Sequence, residues 1–72
     1  MEYFINYQTE RVSAPYKIDD DLKKKLVELG VNIIYEVESE PVVIGTIPDG
    51  FVEKVKEIES IVGIFERPLP NQ

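Results

Sequence analysis

The feature that most constrains this chain is the order in which its apolar periodicities change. Residues 2–8 alternate, with Tyr3, Ile5 and Tyr7 on one side and Glu2, Asn6 and Gln8 on the other; Phe4 is the apolar exception on the polar side. Alternation in a run rich in aromatic and β-branched residues predicts a half-buried strand. A loop over residues 9–17, containing Pro15, comes next. Ile18, Leu22, Leu26 and Leu29 then recur at helical spacing, with Asp19 or Asp20 supplying an N-cap carboxylate. Gly30, able to adopt φ > 0 without a Cβ clash, is expected to end that helix. Strand alternation returns over residues 31–38, with Val31, Ile33, Tyr35 and Val37 on one side. Ser39-Glu40-Pro41 is a short turn into a third strand over residues 42–47, and so short a connection predicts an antiparallel hairpin. Pro48-Asp49-Gly50 breaks that strand, and Asp49 is placed to cap a second helix lined by Phe51, Val55 and Ile58. Ser60 marks the exit, residues 61–65 form a fourth strand, and residues 67–72 are broken by Pro68 and Pro70.

The resulting order is β-α-β-β-α-β. Right-handed βαβ crossovers place both helices on one face of a four-stranded antiparallel sheet, which is the ferredoxin-like α+β architecture. A chain of 72 residues can fill one thin, two-layer core. It is read as a single domain over residues 1–67 with a proline-containing tail over 68–72. The expected core is Ile5, Tyr7, Leu22, Leu26, Ile33, Tyr35, Val55 and Ile58. Strands three and four are apolar on both faces, so their parity stays open. The sheet face away from the helices is expected to carry Phe4 and Ile34 at its middle, ringed by Asn6, Gln8, Glu36 and Glu38. Two apolar anchors inside a polar rim have the anatomy of a modest protein interface.

Composition removes most chemistry. With no cysteine and no histidine, the chain has no disulfide, no thiolate or imidazole metal ligand and no imidazole base. Ser13, Ser39 and Ser60 have no base to activate them, and Arg11 lies in a loop without the glycine of a phosphate nest. Asp19-Asp20-Asp21 and the pair Glu36 and Glu38 read as caps and solvated faces. No enzymatic activity, metal or cofactor is expected. Fourteen acidic against eight basic side chains leave a net charge of −6, which opposes direct nucleic-acid binding. The basic run Lys23-Lys24-Lys25 comes just after Asp19-Asp20-Asp21 and suits a solvated helix matched to its dipole. Residues 1–6 lack the basic and apolar regions of a signal peptide, and no apolar run approaches the ~18–20 residues of a membrane span. The chain reads as soluble and cytoplasmic.

With the topology placed, the pattern resembles the subtilisin propeptide and proteinase-inhibitor family. Tyr3-Phe4-Ile5-Asn6-Tyr7-Gln8 is similar to its opening strand, and Leu22-Lys23-Lys24-Lys25-Leu26 through Gly30 to its Lys-rich helix. Val52-Glu53-Lys54-Val55-Lys56-Glu57-Ile58 is similar to its second helix, and Ser60-Ile61-Val62-Gly63-Ile64-Phe65-Glu66 to its closing strand. The likeness covers nearly the whole chain and is one of pattern. It implies an inhibitor or folding-assisting module for a subtilisin-like serine protease. The open sheet face, with Phe4, Asn6, Ile34 and Glu36, would contact the protease, Glu66 would cap a protease helix, and the tail with Leu69 would lie toward the substrate cleft. The second capping acid of the family falls on Pro68 here, and Pro68 and Pro70 have no N–H for a substrate-like strand. Two other roles fit the same residues. One is an acidic protein-interaction or homodimerising module, including one that masks a basic nucleic-acid-binding surface on a partner. The other is a small-molecule-sensing regulatory domain, for which the chain has no recognisable Gly-containing ligand loop.

Overall fold

A computed structural model describes residues 1–68. The elements are β1 (Glu2–Tyr7), α1 (Asp20–Glu28), β2 (Asn32–Val37), β3 (Val42–Thr46), α2 (Val52–Lys56) and β4 (Ile61–Glu66). The strands form one sheet in the order β2-β3-β1-β4, with every neighbouring pair antiparallel. This is the ferredoxin-like arrangement that the periodicities predict. Among the described residues no helix is long and apolar enough to cross a membrane.

The helices begin and end for local reasons. The Asp19 carboxylate accepts the N–H of Asp21 at 3.1 Å and caps α1. At the other end Val31 N–H donates to the Leu26 carbonyl at 3.0 Å and Gly30 N–H to that of Val27 at 2.9 Å. This is a Schellman closure, and it needs the φ of +88° that Gly30 adopts. The second helix departs from expectation. Its N-cap is Phe51, which makes no side-chain capping bond. Asp49 instead sits in a turn closed by Phe51 N–H to the Pro48 carbonyl at 3.0 Å, with Gly50 at φ +82°. Turn formation takes up the residues that capping would have used, and α2 shortens to five residues.

One apolar cluster joins the layers. Ile5 and Tyr7 of β1, Val43 of β3 and Ile61 of β4 meet Leu22 and Leu26 of α1 and Val55 of α2, with Ile18, Val31 and Ile47 closing the margins. Ile33 and Ile58 pack against this cluster while partly buried. Tyr35 contradicts the expected core: it is 60% exposed. The cause is a bulge in β2, where Ile33 pairs with Gly45 but the next pair is Tyr35 with Ile44, leaving Ile34 as an extra residue. One extra residue reverses the parity of the remainder of the strand. Tyr35 and Val37 turn to the open face, and Glu36 turns to the helix side, where its Oε2 lies 2.9 Å from Lys23 Nζ.

Two substitutions test this packing. Leu26 is fully buried at the centre of the cluster, so Leu26→Ala should cost about 2–5 kcal/mol, read as a lower urea midpoint. Gly45 faces the close approach of β2: an added Cβ would stand 2.6 Å from the Asn32 carbonyl oxygen. Gly45→Ala should therefore cost about 1–3 kcal/mol, with the loss of amide protection in hydrogen exchange largest across β2 and β3.

Candidate functional site

The register places a line of apolar side chains across the face that no helix covers. Phe4 pairs with Ile44 on one side and with Phe65 on the other, and Ile44 pairs with Tyr35. The row Tyr35–Ile44–Phe4–Phe65 thus crosses all four strands. Beside it runs a second row, Val37–Val42–Asn6–Gly63. Phe65, 57% exposed, lies along its own strand, since a Cβ at Gly63 would stand 3.1 Å from its Cε2. A glycine at that position gives the ring a flat bed. Between the rows a shallow hollow of about 320 Å³ is lined by Phe4, Asn6, Val37, Glu40, Val42 and Phe65. At one end of the face Arg67 Nη1 donates to Glu2 Oε1 at 2.8 Å, and Arg67 N–H to the Glu2 carbonyl at 2.8 Å.

The expected site residues do not all share this face. Phe4 is at its centre and Asn6 in the hollow. Ile34 is the bulged residue, 48% exposed and outside the row. Glu36 is on the helix side with Lys23, and Glu66, opposite Tyr3, shares that side of the sheet. Leu69 lies outside the described residues. Sequence reasoning missed Tyr35, Val37, Val42, Ile44 and Phe65. Tyr35 and Val37 are placed only through the pairings of Val37 with Val42 and of Val42 with Asn6. Phe65 could be placed only through its pairing with Phe4.

A larger hollow of about 540 Å³ lies away from this face, between the loop after β1 and the start of α1. Its walls bring Arg11 and Lys25 together with Asp19 and Asp21, so its charges oppose one another and favour no one class of ligand. Among the described residues no group of three or more Asp or Glu side chains is placed to hold a metal ion. The hollow on the open face is lined by aromatic rings, aliphatic groups, the Asn6 carboxamide and the Glu40 carboxylate. Comparison with protein-family models, with curated proteins and with solved structures gives no match.

On the opposite side of the sheet, burial raises the Tyr7 pKa above its ordinary value of 10.0, and the Glu36 carboxylate raises it further. Because the folded value is the higher one, this contribution to stability is complete below pH 10.0 and is lost as pH rises through the folded value. In Glu36→Gln the Tyr7 titration, followed by the NMR shift of its ring carbon, should move down yet stay above 10.0, since burial is the larger cause.

Proposed function

We propose that this chain is a small, non-catalytic protein-binding module that docks through its open sheet face, acting as a propeptide-like inhibitor or folding assistant of a subtilisin-like serine protease. The observation that carries the reading is the row Tyr35–Ile44–Phe4–Phe65, aligned across four strands and covered by no element among the described residues. Contiguous exposed apolar groups bordered by polar ones mark interaction surfaces, and aromatic side chains are the usual anchors at their centres. Phe4 and Phe65 are assigned as anchors, and Tyr35 as a contact whose hydroxyl can stay in water. The family resemblance supplies the partner class. Phe65 takes the anchoring role that the sequence pattern gave to Ile34. Glu66 and Glu36 face the other way and carry no part of the proposed contact. A net charge of −6 steers approach toward a basic partner surface and affects the association rate more than the affinity.

The test titrates the chain against a panel of subtilisin-like proteases, measuring both inhibition of peptide hydrolysis and direct binding. Wild type should inhibit at least one of them. Phe4→Glu/Phe65→Glu should raise the inhibition constant by at least about tenfold, with circular dichroism unchanged. Absence of binding across the panel overturns the protease as partner. Equal potency of the double variant overturns the face.

A further inference from the structure

The open face is ordered along its strands as well as across them. Asn32 pairs with Thr46, Thr46 with Glu2, and Arg67 N–H donates to the Glu2 carbonyl. A polar row, Asn32–Thr46–Glu2–Arg67, therefore flanks the row of Tyr35 on the side away from Val37. Along every strand the face passes from this polar row through the central apolar one to the row of Val37, Val42, Asn6 and Gly63. The one acid and one base in the three rows, Glu2 and Arg67, are bonded to each other at 2.8 Å. The net charge of −6 thus lies off the rows, and a second molecule of the same charge meets a locally neutral face. Tyr35, 60% exposed, and Phe65, 57% exposed, stand at opposite edges of the central row.

We propose that this face packs on the same face of a second copy of the chain, about a two-fold axis parallel to the strands. Face-to-face packing of aligned sheets offers an axis along the strands or one across them. An axis across the strands lays the polar row on the third row and buries Asn32 and Thr46 against Val37 and Val42, which leaves their polar groups unpaired. An axis along the strands keeps each row on itself and reverses the strand order. Tyr35 then falls on Phe65 of the second copy and Ile44 on Phe4, so each exposed ring is covered by the other. Asn32 falls on Arg67 and Thr46 on Glu2, a carboxamide on a guanidinium and a hydroxyl on a carboxylate. Val42 falls on Asn6, and Val37 on Gly63, where the Phe65 ring already lies flat. The ~30° rotation between packed sheets moves edge positions by about 4 Å, less than the ~7 Å between rows. Four strands and three rows cover about 400 Å² per copy, which is small for a specific interface and makes the dimer a weak one. The pairing rests on the same face as the proposed protease contact but not on that contact, and the two exclude each other.

Sedimentation equilibrium of the full chain alone, from about 10 μM to 1 mM, reads the outcome. The mass should rise with concentration from 8.3 kDa toward twice that value. Phe65→Glu should raise the dissociation constant by about tenfold or more, with circular dichroism unchanged. Two variants at Asn32, an exposed residue three strands away from Arg67 of its own chain, test the axis. Asn32→Glu takes the net charge from −6 to −7, which disfavours association at long range. It nevertheless places a carboxylate on Arg67 of the second copy twice per dimer and should lower the dissociation constant about threefold or more. Asn32→Arg takes the charge from −6 to −5, yet it sets two guanidinium groups against each other and should raise that constant by a similar factor. A chain that stays monomeric at every concentration overturns the proposal. So do a dimer indifferent to Phe65→Glu, two Asn32 variants that both weaken association, and two that follow net charge. The protease titration is a separate measurement, so failure of this pairing and failure of that contact are distinct results.

Discussion

A single packed boundary, between two short helices and one face of the sheet, holds this molecule together. Leu22 and Leu26 from one helix and Val55 from the other reach Ile5, Tyr7 and Val43 beneath them. Two such layers exhaust what 72 residues can bury. Among the described residues no third layer covers the other face of the sheet. Any apolar side chain that the strands place there must be shielded by its neighbours, by another molecule, or by nothing.

The parity of β2 decides which side chains those are. A bulge at Ile34 sends Tyr35 and Val37 to the open face and Glu36 to the helices. The bulge is tolerated because Glu36 finds Lys23 at 2.9 Å. That pair is partly exposed on both sides, so it adds little to stability. Its larger effect is on register. Without the extra residue, Glu36 would face the open side and Tyr35 would enter a core already filled by Tyr7 and Ile5. Gly45 completes the arrangement, since only a residue without a Cβ leaves room for the Asn32 carbonyl as β2 bends past.

The order of elements was legible in the sequence because it rests on local signals: Asp19 at the start of the helical repeat of Ile18, Leu22 and Leu26, Gly30 after Leu29, and the turn at Ser39-Glu40-Pro41. Each acts within a few residues. The composition of the open face was not legible, because a bulge is a two-against-one relation between strands and leaves no mark in the strand that carries it. Ile33-Ile34 are adjacent apolar residues, which fits an extra residue equally well as a strand buried on both faces. Phe65 was hidden for a different reason. Ile61, Val62, Ile64 and Phe65 offer apolar groups to both sides, and only the pairing with Phe4 sorts them. Asp49 was misplaced because Pro-Asp-Gly serves equally as a turn or as the start of a helix, and a positive φ at Gly50 selects the turn.

The row across the open face has a structural role alongside its proposed role in binding, and the two must be separated. Ile44 is only 8% exposed although no helix lies over it. Phe4 and Tyr35 flank it in the register and cover it. Cross-strand contacts of this kind stabilise a sheet by roughly 0.2–1 kcal/mol per pair, so the row contributes to the fold before any partner arrives. Replacing Ile44 therefore disturbs the sheet first and a contact second. The ends of the row behave differently. Phe65 and Tyr35 retain more than half of their surface, far more than cross-strand shielding leaves at Ile44. The surface these two rings expose is surface that no described residue buries, and it lies at opposite edges of the sheet with Phe4 between them. A partner that uses this face must therefore span its full width, which favours a broad, shallow contact over insertion into the hollow between the rows.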